Sequence, residues 1–192
     1  MEEVEIVNTL SLLVIGGSAG SLAVLLDVLP LVQLPPSKAI VIVVHRKNTP
    51  DSLLSELLAS RSGLPVKEIG DKEPLRGGEV YLAPPDYHVL FETDQTLSLD
   101  VSEKINYSRP SIDVAFTSAA DVYRERLSCL LLSGANADGV DGLRYVRSLG
   151  GMIAVQRPET AEAPYMPQQA VHHLPGIREI SPIDMPAFIN SL

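Results

Sequence analysis

Short apolar runs that break off into glycine, histidine or serine, each followed by a stretch of helical spacing, restrict this chain to an α/β fold. Residues 12–15 form such a run and end at Gly16-Gly17, after which residues 19–29 carry apolar side chains too densely for a strand. Residues 39–44 form a second run. Thr49-Pro50-Asp51 then supplies a capping hydroxyl and a first-turn proline for a helix over 52–60. The middle differs: residues 79–83, 87–92 and 96–100 are short, alternating and separated by turn residues, which predicts an antiparallel insertion. From Ile112 the helical period returns, with Ala115, Phe116, Ala119, Ala120 and Tyr123 on the same face. A strand over 127–132, a helix over 138–149, a strand over 152–155, a short helix over 166–173 and a terminal helix over 186–192 complete the pattern. The fold class that follows is a doubly wound, mostly parallel sheet flanked by helices, with an antiparallel hairpin insertion.

A length of 192 residues suits one domain over 1–192, and 45% hydrophobic against 20% charged residues is enough for a core built by burial alone. The net charge of −9 repels nucleic acid and anionic lipid, so neither a nucleic-acid partner nor membrane insertion is expected. No signal-peptide pattern opens the chain, and no apolar stretch reaches the ~18 residues of a membrane helix, which points to the cytoplasm. Cys129 is the single cysteine and lies in an apolar run, so it reads as a buried strand thiol rather than half of a disulfide.

In such a sheet ligands collect beyond the carboxyl ends of the strands, where this chain places Gly16-Gly17-Ser18-Ala19-Gly20, then His45-Arg46-Lys47, then Gly134-Ala135-Asn136-Ala137-Asp138-Gly139. The first segment satisfies G-x-S-x-G, in which a sharp strand-to-helix turn lifts a serine hydroxyl to the helix N-terminus beside the Ala19 N–H. A glycine-rich turn can equally cradle phosphate, but G-x-G-x-x-G fails at Ser18 and no Gly-Lys of a P-loop follows. His45 is the histidine that directly follows an apolar strand, whereas His88 reads as structural and the neighbours His172 and His173 diverge. With no further Cys or His cluster, neither a metal nor a cofactor is called for. Asp138, before a glycine, has helix capping as its plain role, and Asp141 is the competing acid further into the helix, on the side that faces solvent.

These segments resemble the CheB-type chemotaxis receptor methylesterase catalytic domain over about residues 13–171. The likeness extends to Gly78-Glu79-Val80-Tyr81-Leu82-Ala83-Pro84-Pro85-Asp86-Tyr87-His88, to Arg109-Pro110-Ser111-Ile112-Asp113-Val114 and to Met166-Pro167. The resemblance implies a triad of Ser18, His45 and Asp138, with Ala19 and Ala135 N–H groups as the oxyanion hole, hydrolysing glutamate γ-methyl esters and deamidating glutamine. It implies a methylated chemoreceptor or similar signalling protein as partner, with a separate receiver domain or kinase for regulation, since Met1 stands a few residues before the first strand and no receiver domain is expected within the chain. The alternative is a catalytically silent methylesterase-like binding module in a signalling complex. Departures from the family pattern are Ala19 for a threonine, Ser21 for a glycine, and Val44 and Arg46 for the Gln and Met around the histidine. Arg46, Lys47 and Arg157 each follow a strand end and are candidates for a basic mouth that attracts an acidic substrate segment.

Overall fold

Leu12 and Val14 belong to one core cluster and Leu13 and Ile15 to another, so the first strand is covered on both faces, as its unbroken apolar run requires. The computed structural model describes residues 10–47 and 53–192. In chain order the elements are β1 (Ser11–Gly17), α1 (Ser21–Val28), β2 (Lys38–Val44), α2 (Leu54–Ser62), β3 (Val66–Glu68), β4 (Glu73–Pro74), β5 (Val80–Leu82), β6 (His88–Phe91), β7 (Thr96–Asp100), α3 (Ile112–Tyr123), β8 (Leu127–Leu131), α4 (Val140–Ser148), β9 (Met152–Gln156), α5 (Tyr165–His173), β10 (Arg178–Ile180) and α6 (Met185–Ser191).

Seven strands form one parallel sheet in the order β10-β9-β8-β1-β2-β5-β3. β1 sits near the centre, β2 lies on one side of it and β8 on the other, so the chain reverses its direction of travel across the sheet at β1. That reversal opens a crevice at the carboxyl ends of these strands. Val41 and Val43 pack with Ile112, Phe116 and Val140 on the α3–α4 face, whereas Ile40, Ile42 and Val44 pack with Leu25, Leu58 and Phe188 on the α1–α2–α6 face. Fully burying one such aliphatic side chain gains about 1.5–3 kcal/mol, and a strand covered on both sides collects that gain at every position. The two edge strands, β3 and β10, are only three residues each, which leaves little open ladder for another chain to pair with.

A second sheet, β4-β7-β6, is antiparallel and packs on α3. The Phe91 N–H donates to Ser118 Oγ at 2.8 Å, and the Phe91 and Tyr123 rings meet edge to face with centroids 6.2 Å apart. The hairpin over 87–100 is as expected, but residues 79–83 are not part of this insertion. Val80, Tyr81 and Leu82 are buried throughout and β5 runs parallel between β2 and β3 in the main sheet. The polar Glu79 ahead of a three-residue run imitated half-buried alternation; the antiparallel partner of β7 is instead β4, too short to leave a pattern. The helix start expected at Thr49-Pro50-Asp51 lies outside the described residues.

Candidate active site

The turn after β1 is held in its sharp course by Gly20, whose φ of +80° admits few side chains and where a Cβ would stand 2.6 Å from Glu162 Cβ and 2.7 Å from Ser133 Oγ. Helix α1 therefore starts at Ser21, two residues later than its apolar pattern begins, and leaves Ser18 on the turn itself. The Ser18 N–H donates to Ser133 O at 2.9 Å, and Ser18 O accepts from both Ser21 N–H (3.1 Å) and Ser21 Oγ (2.6 Å). Gly134 passes so close that a Cβ there would lie 3.1 Å from Ser18 Cβ and 2.4 Å from Met166 Cε. The serine is thus clamped between its own helix and the loop after β8.

His45 opens the loop after β2, with its N–H donating to Gly17 O at 3.1 Å, which keeps it level with the serine turn. Its Nε2 is 2.7 Å from Asp138 Oδ2, with side-chain exposures of 13% and 0% for the pair. Asp138 accepts three more hydrogen bonds: Ser111 Oγ (3.0 Å) and Asp113 N–H (3.0 Å) on Oδ1, and Ile112 N–H (2.7 Å) on Oδ2. Asp138 does cap a helix, though not the one it precedes in sequence. Helix α4 begins at Val140 behind Gly139, while the Asp138 carboxylate sits across space on the first amides of α3, where the helix dipole also favours negative charge. Burial acts to raise the Asp138 pKa, but the His45 hydrogen bond and the Asp113 and Ile112 amides outweigh it and hold the carboxyl below the usual aspartate value. An ionised Asp138 makes Nε2 of His45 the protonated nitrogen and leaves Nδ1 as the basic one.

Ser18 and His45 line the same cavity, yet among the described residues no hydrogen bond joins Ser18 Oγ to the imidazole. Contacts of this kind commonly tighten only in the complex with substrate. Ala19 and Ala135 are both exposed, and among the described residues neither N–H has an acceptor. Asp141 is exposed and ion-paired with Arg144, away from the imidazole.

Sequence reading missed Asp113. Its Oδ1 accepts the Gly142 N–H at 2.7 Å, tying α3 to α4, while its own N–H serves Asp138. Burial, followed by the neighbouring Asp138 charge, pushes its pKa up to about 7. Ser111 was readable as the N-cap of α3, and its Oγ does accept Val114 N–H at 3.3 Å, but its second bond to Asp138 spans 27 residues. His88 is structural: it is buried, Nδ1 accepts Ser111 N–H at 3.1 Å, and Nε2 donates to Glu103 O at 3.0 Å. Cys129 is buried in β8, and burial drives its thiol pKa well up.

Two cavities flank His45. One, of about 410 Å³, is walled by Arg46, Lys47, Asp86, Lys104, Tyr107 and Arg109. Lys47 and Lys104 are exposed, and Tyr107 stands 99% exposed at the tip of a tight turn closed by reciprocal Ile105–Ser108 backbone bonds. Arg46 is not simply a surface cation, since it is ion-paired with Glu68 and donates to Ala83 O at 3.2 Å. Arg157 is separate: it follows β9, three strands from β2 or about 14 Å at ~4.8 Å per strand, and is not among the residues lining either cavity. The second cavity, of about 120 Å³, lies between α1, α2 and the end of β2. Among the described residues no group of three or more His, Cys, Asp or Glu is placed to hold a metal ion, and no helix is long and apolar enough to cross a membrane.

The chain is similar to known proteins along most of its length. The family model described as CheB methylesterase matches residues 13–189. A protein of Leptospira interrogans named "Putative protein-glutamate methylesterase/protein-glutamine glutaminase" is 41% identical over 159 residues, covering 83% of this chain and 82% of the relative. A Thermotoga maritima protein-glutamate methylesterase/protein-glutamine glutaminase is 32% identical over 163 residues, and there the match covers 83% of this chain but 47% of the relative. The crystal structure of the Thermotoga maritima CheB methylesterase catalytic domain superposes with a TM-score of 0.88 at 29% identity, covering 95% of this chain and 98% of that one. With the family model spanning most of its length and the fold matched across the whole sheet, the chain belongs to the CheB methylesterase family.

Proposed function

We propose that this chain is a protein-glutamate methylesterase that also deamidates glutamine, acting through Ser18, His45 and Asp138 on chemoreceptor-type signalling proteins in the cytoplasm. The observation that carries the reading is the buried Asp138 carboxylate bonded to His45 Nε2 at 2.7 Å, beside a serine on a strand-to-helix turn. His45 Nδ1 takes the Ser18 proton as Oγ attacks the ester carbon. The oxyanion that forms is met by the Ala19 and Ala135 N–H groups. The imidazolium, stabilised by Asp138, returns its proton to the departing alkoxide, giving methanol and an acyl-serine; water then attacks under the same base to release glutamate. Glutamine follows the same path with ammonia as the leaving group. The cations at the mouth of the larger cavity, Lys47 and Lys104 foremost, favour an acidic substrate segment in a chain that is otherwise net negative. A receiver domain or kinase is the regulatory partner this reading calls for.

The test is methanol release from a carboxymethylated chemoreceptor cytoplasmic fragment. The wild-type chain turns over, and Ser18→Ala and His45→Ala each lose about 10³-fold or more in kcat. Undiminished activity in Ser18→Ala would overturn the assignment of the nucleophile, and a silent wild type would move the chain to the role of a binding module.

A further inference from the structure

The cavity of about 120 Å³ has a lining that extends well past the groups that transfer the proton and attack the ester. Ser18 and His45 line it together with Leu22 and Leu25 of α1, Leu54 and Leu58 of α2, Val44 of β2 and Leu82 of β5; Arg46 also lines it, with its guanidinium engaged by Glu68 and Ala83 O. Ser21 contributes little polarity, because its hydroxyl is spent on Ser18 O at 2.6 Å. The space lies on the α1–α2 face of the sheet, on the histidine side of the serine. The loop that carries Ala135 lies on the opposite side, after β8.

That division matters chemically. A base that takes the serine proton must hand it to the leaving oxygen, so the leaving group departs within reach of the imidazole. The carbonyl oxygen meanwhile turns toward the backbone donors. We infer that the apolar cavity between α1, α2 and the end of β2 is the leaving-group pocket, and that it takes linear alkoxyl groups up to about propyl rather than methoxyl alone. This rests on the esterase reading above. Size supports it: at roughly 30 Å³ per small heavy-atom group, the share of one water in the liquid, about four such groups fit, whereas methoxyl supplies two. The chemistry of the walls supports it as well, since each additional methylene moved from water into an aliphatic lining gains about fourfold in binding. In the step itself the Ser18 Oγ–carbonyl bond forms and the carbonyl–alkoxyl bond breaks. The proton taken from Oγ leaves on the alcohol, which occupies the pocket until water enters.

The experiment uses the full chain and γ-methyl, γ-ethyl, γ-n-propyl and γ-n-hexyl esters of one blocked glutamyl peptide, with alcohol release as the readout. The expected result is a rise in kcat/KM of about fourfold per carbon from methyl to propyl and a fall at hexyl. Leu22→Phe and Leu54→Phe fill the pocket from opposite helices at positions that are not fully buried, and each lowers the propyl-to-methyl ratio at least fivefold. Wild-type activity on the methyl ester with propyl more than tenfold poorer would overturn the inference and leave the esterase reading standing. So would a propyl-to-methyl ratio unmoved in both variants. Silence on every ester would overturn the esterase reading, and the inference with it.

Discussion

The two walls of the site are built on opposite plans. On the β8–α3 side, Asp138 is fully buried and takes four hydrogen bonds from His45, Ser111, Ile112 and Asp113. On the β2 side, beyond His45, Lys47, Lys104 and Tyr107 stand in solvent around an open cavity. One wall holds a charge in a single place; the other leaves its charges free to move in solvent. A buried carboxylate is stable only if its desolvation is offset by donors, which explains why the α3 N-terminus is brought against it. Exposed lysines incur no such cost and gain correspondingly little in any one contact.

The contrast is broken most severely by Asp138→Asn. The amide keeps one acceptor oxygen and sets its NH2 either against the Ile112 N–H and His45 Nε2 or against the Asp113 N–H and Ser111 Oγ, and being neutral it no longer stabilises an imidazolium, so kcat falls by about 10³–10⁴-fold. Unfolding shows a loss of stability on the order of 1–3 kcal/mol as well. Because the folded-state pKa of Asp138 is depressed, its contribution is present above the ordinary aspartate value near ~3.9 and is lost as pH falls through the lower folded one. The Asn variant does not show that acid limb. Equal activity in Asp138→Asn and wild type would mean that the rigid wall is only structural.

A smaller effect, of another kind, is expected from Lys47→Glu combined with Lys104→Glu. Reversing the open wall raises KM for an acidic receptor fragment by about three- to tenfold at low salt, and the difference shrinks as ionic strength rises. Indifference of KM and of its salt dependence would remove substrate attraction from this wall. The smallest effect falls on Asp113→Asn. The pKa of Asp113 is raised to about 7, so its favourable contribution is complete below the unfolded value and is lost as pH rises toward the folded one. Wild-type stability therefore declines between pH 4 and 7. Asn at this position can still accept the Gly142 N–H, flattens that decline and leaves the protein more stable at pH 8 by on the order of 1 kcal/mol.

Most of the main sheet was legible because its strands are covered on both faces and so appear as runs such as Ile40–Val44 that no loop or amphipathic helix would carry. Helix α3 was legible to the residue, since its buried face is Ile112, Ala115, Phe116, Ala119, Ala120 and Tyr123. β3, β4 and β10 were not, for two or three residues carry no period, and their strand character comes from the neighbours they pair with. The positions of Ser18, His45 and Asp138 at strand ends followed from the chain; the clasp around Asp138 did not. Its donors come from residues 111–113, and nothing local to Pro110-Ser111-Ile112 distinguishes amides that cap a helix into water from amides that hold a carboxylate.

Ser133 shows what such an arrangement means for assembly of the chain. Its carbonyl holds the Ser18 N–H, its N–H donates to Gln156 Oε1, and its hydroxyl links Ala19 O to the Ala163 N–H. These ties span 114 residues toward the start of the chain and 30 toward the end, while the His45–Asp138 pair spans 93. Local contacts close early in folding and distant ones late, because loop-closure entropy must be overcome first. The turn that carries Ser18 is short and belongs to the first strand, yet it takes its working shape only when β8 and β9 have docked. During refolding, esterase turnover is therefore a clock for the last long-range closures of the sheet rather than for the appearance of its helices.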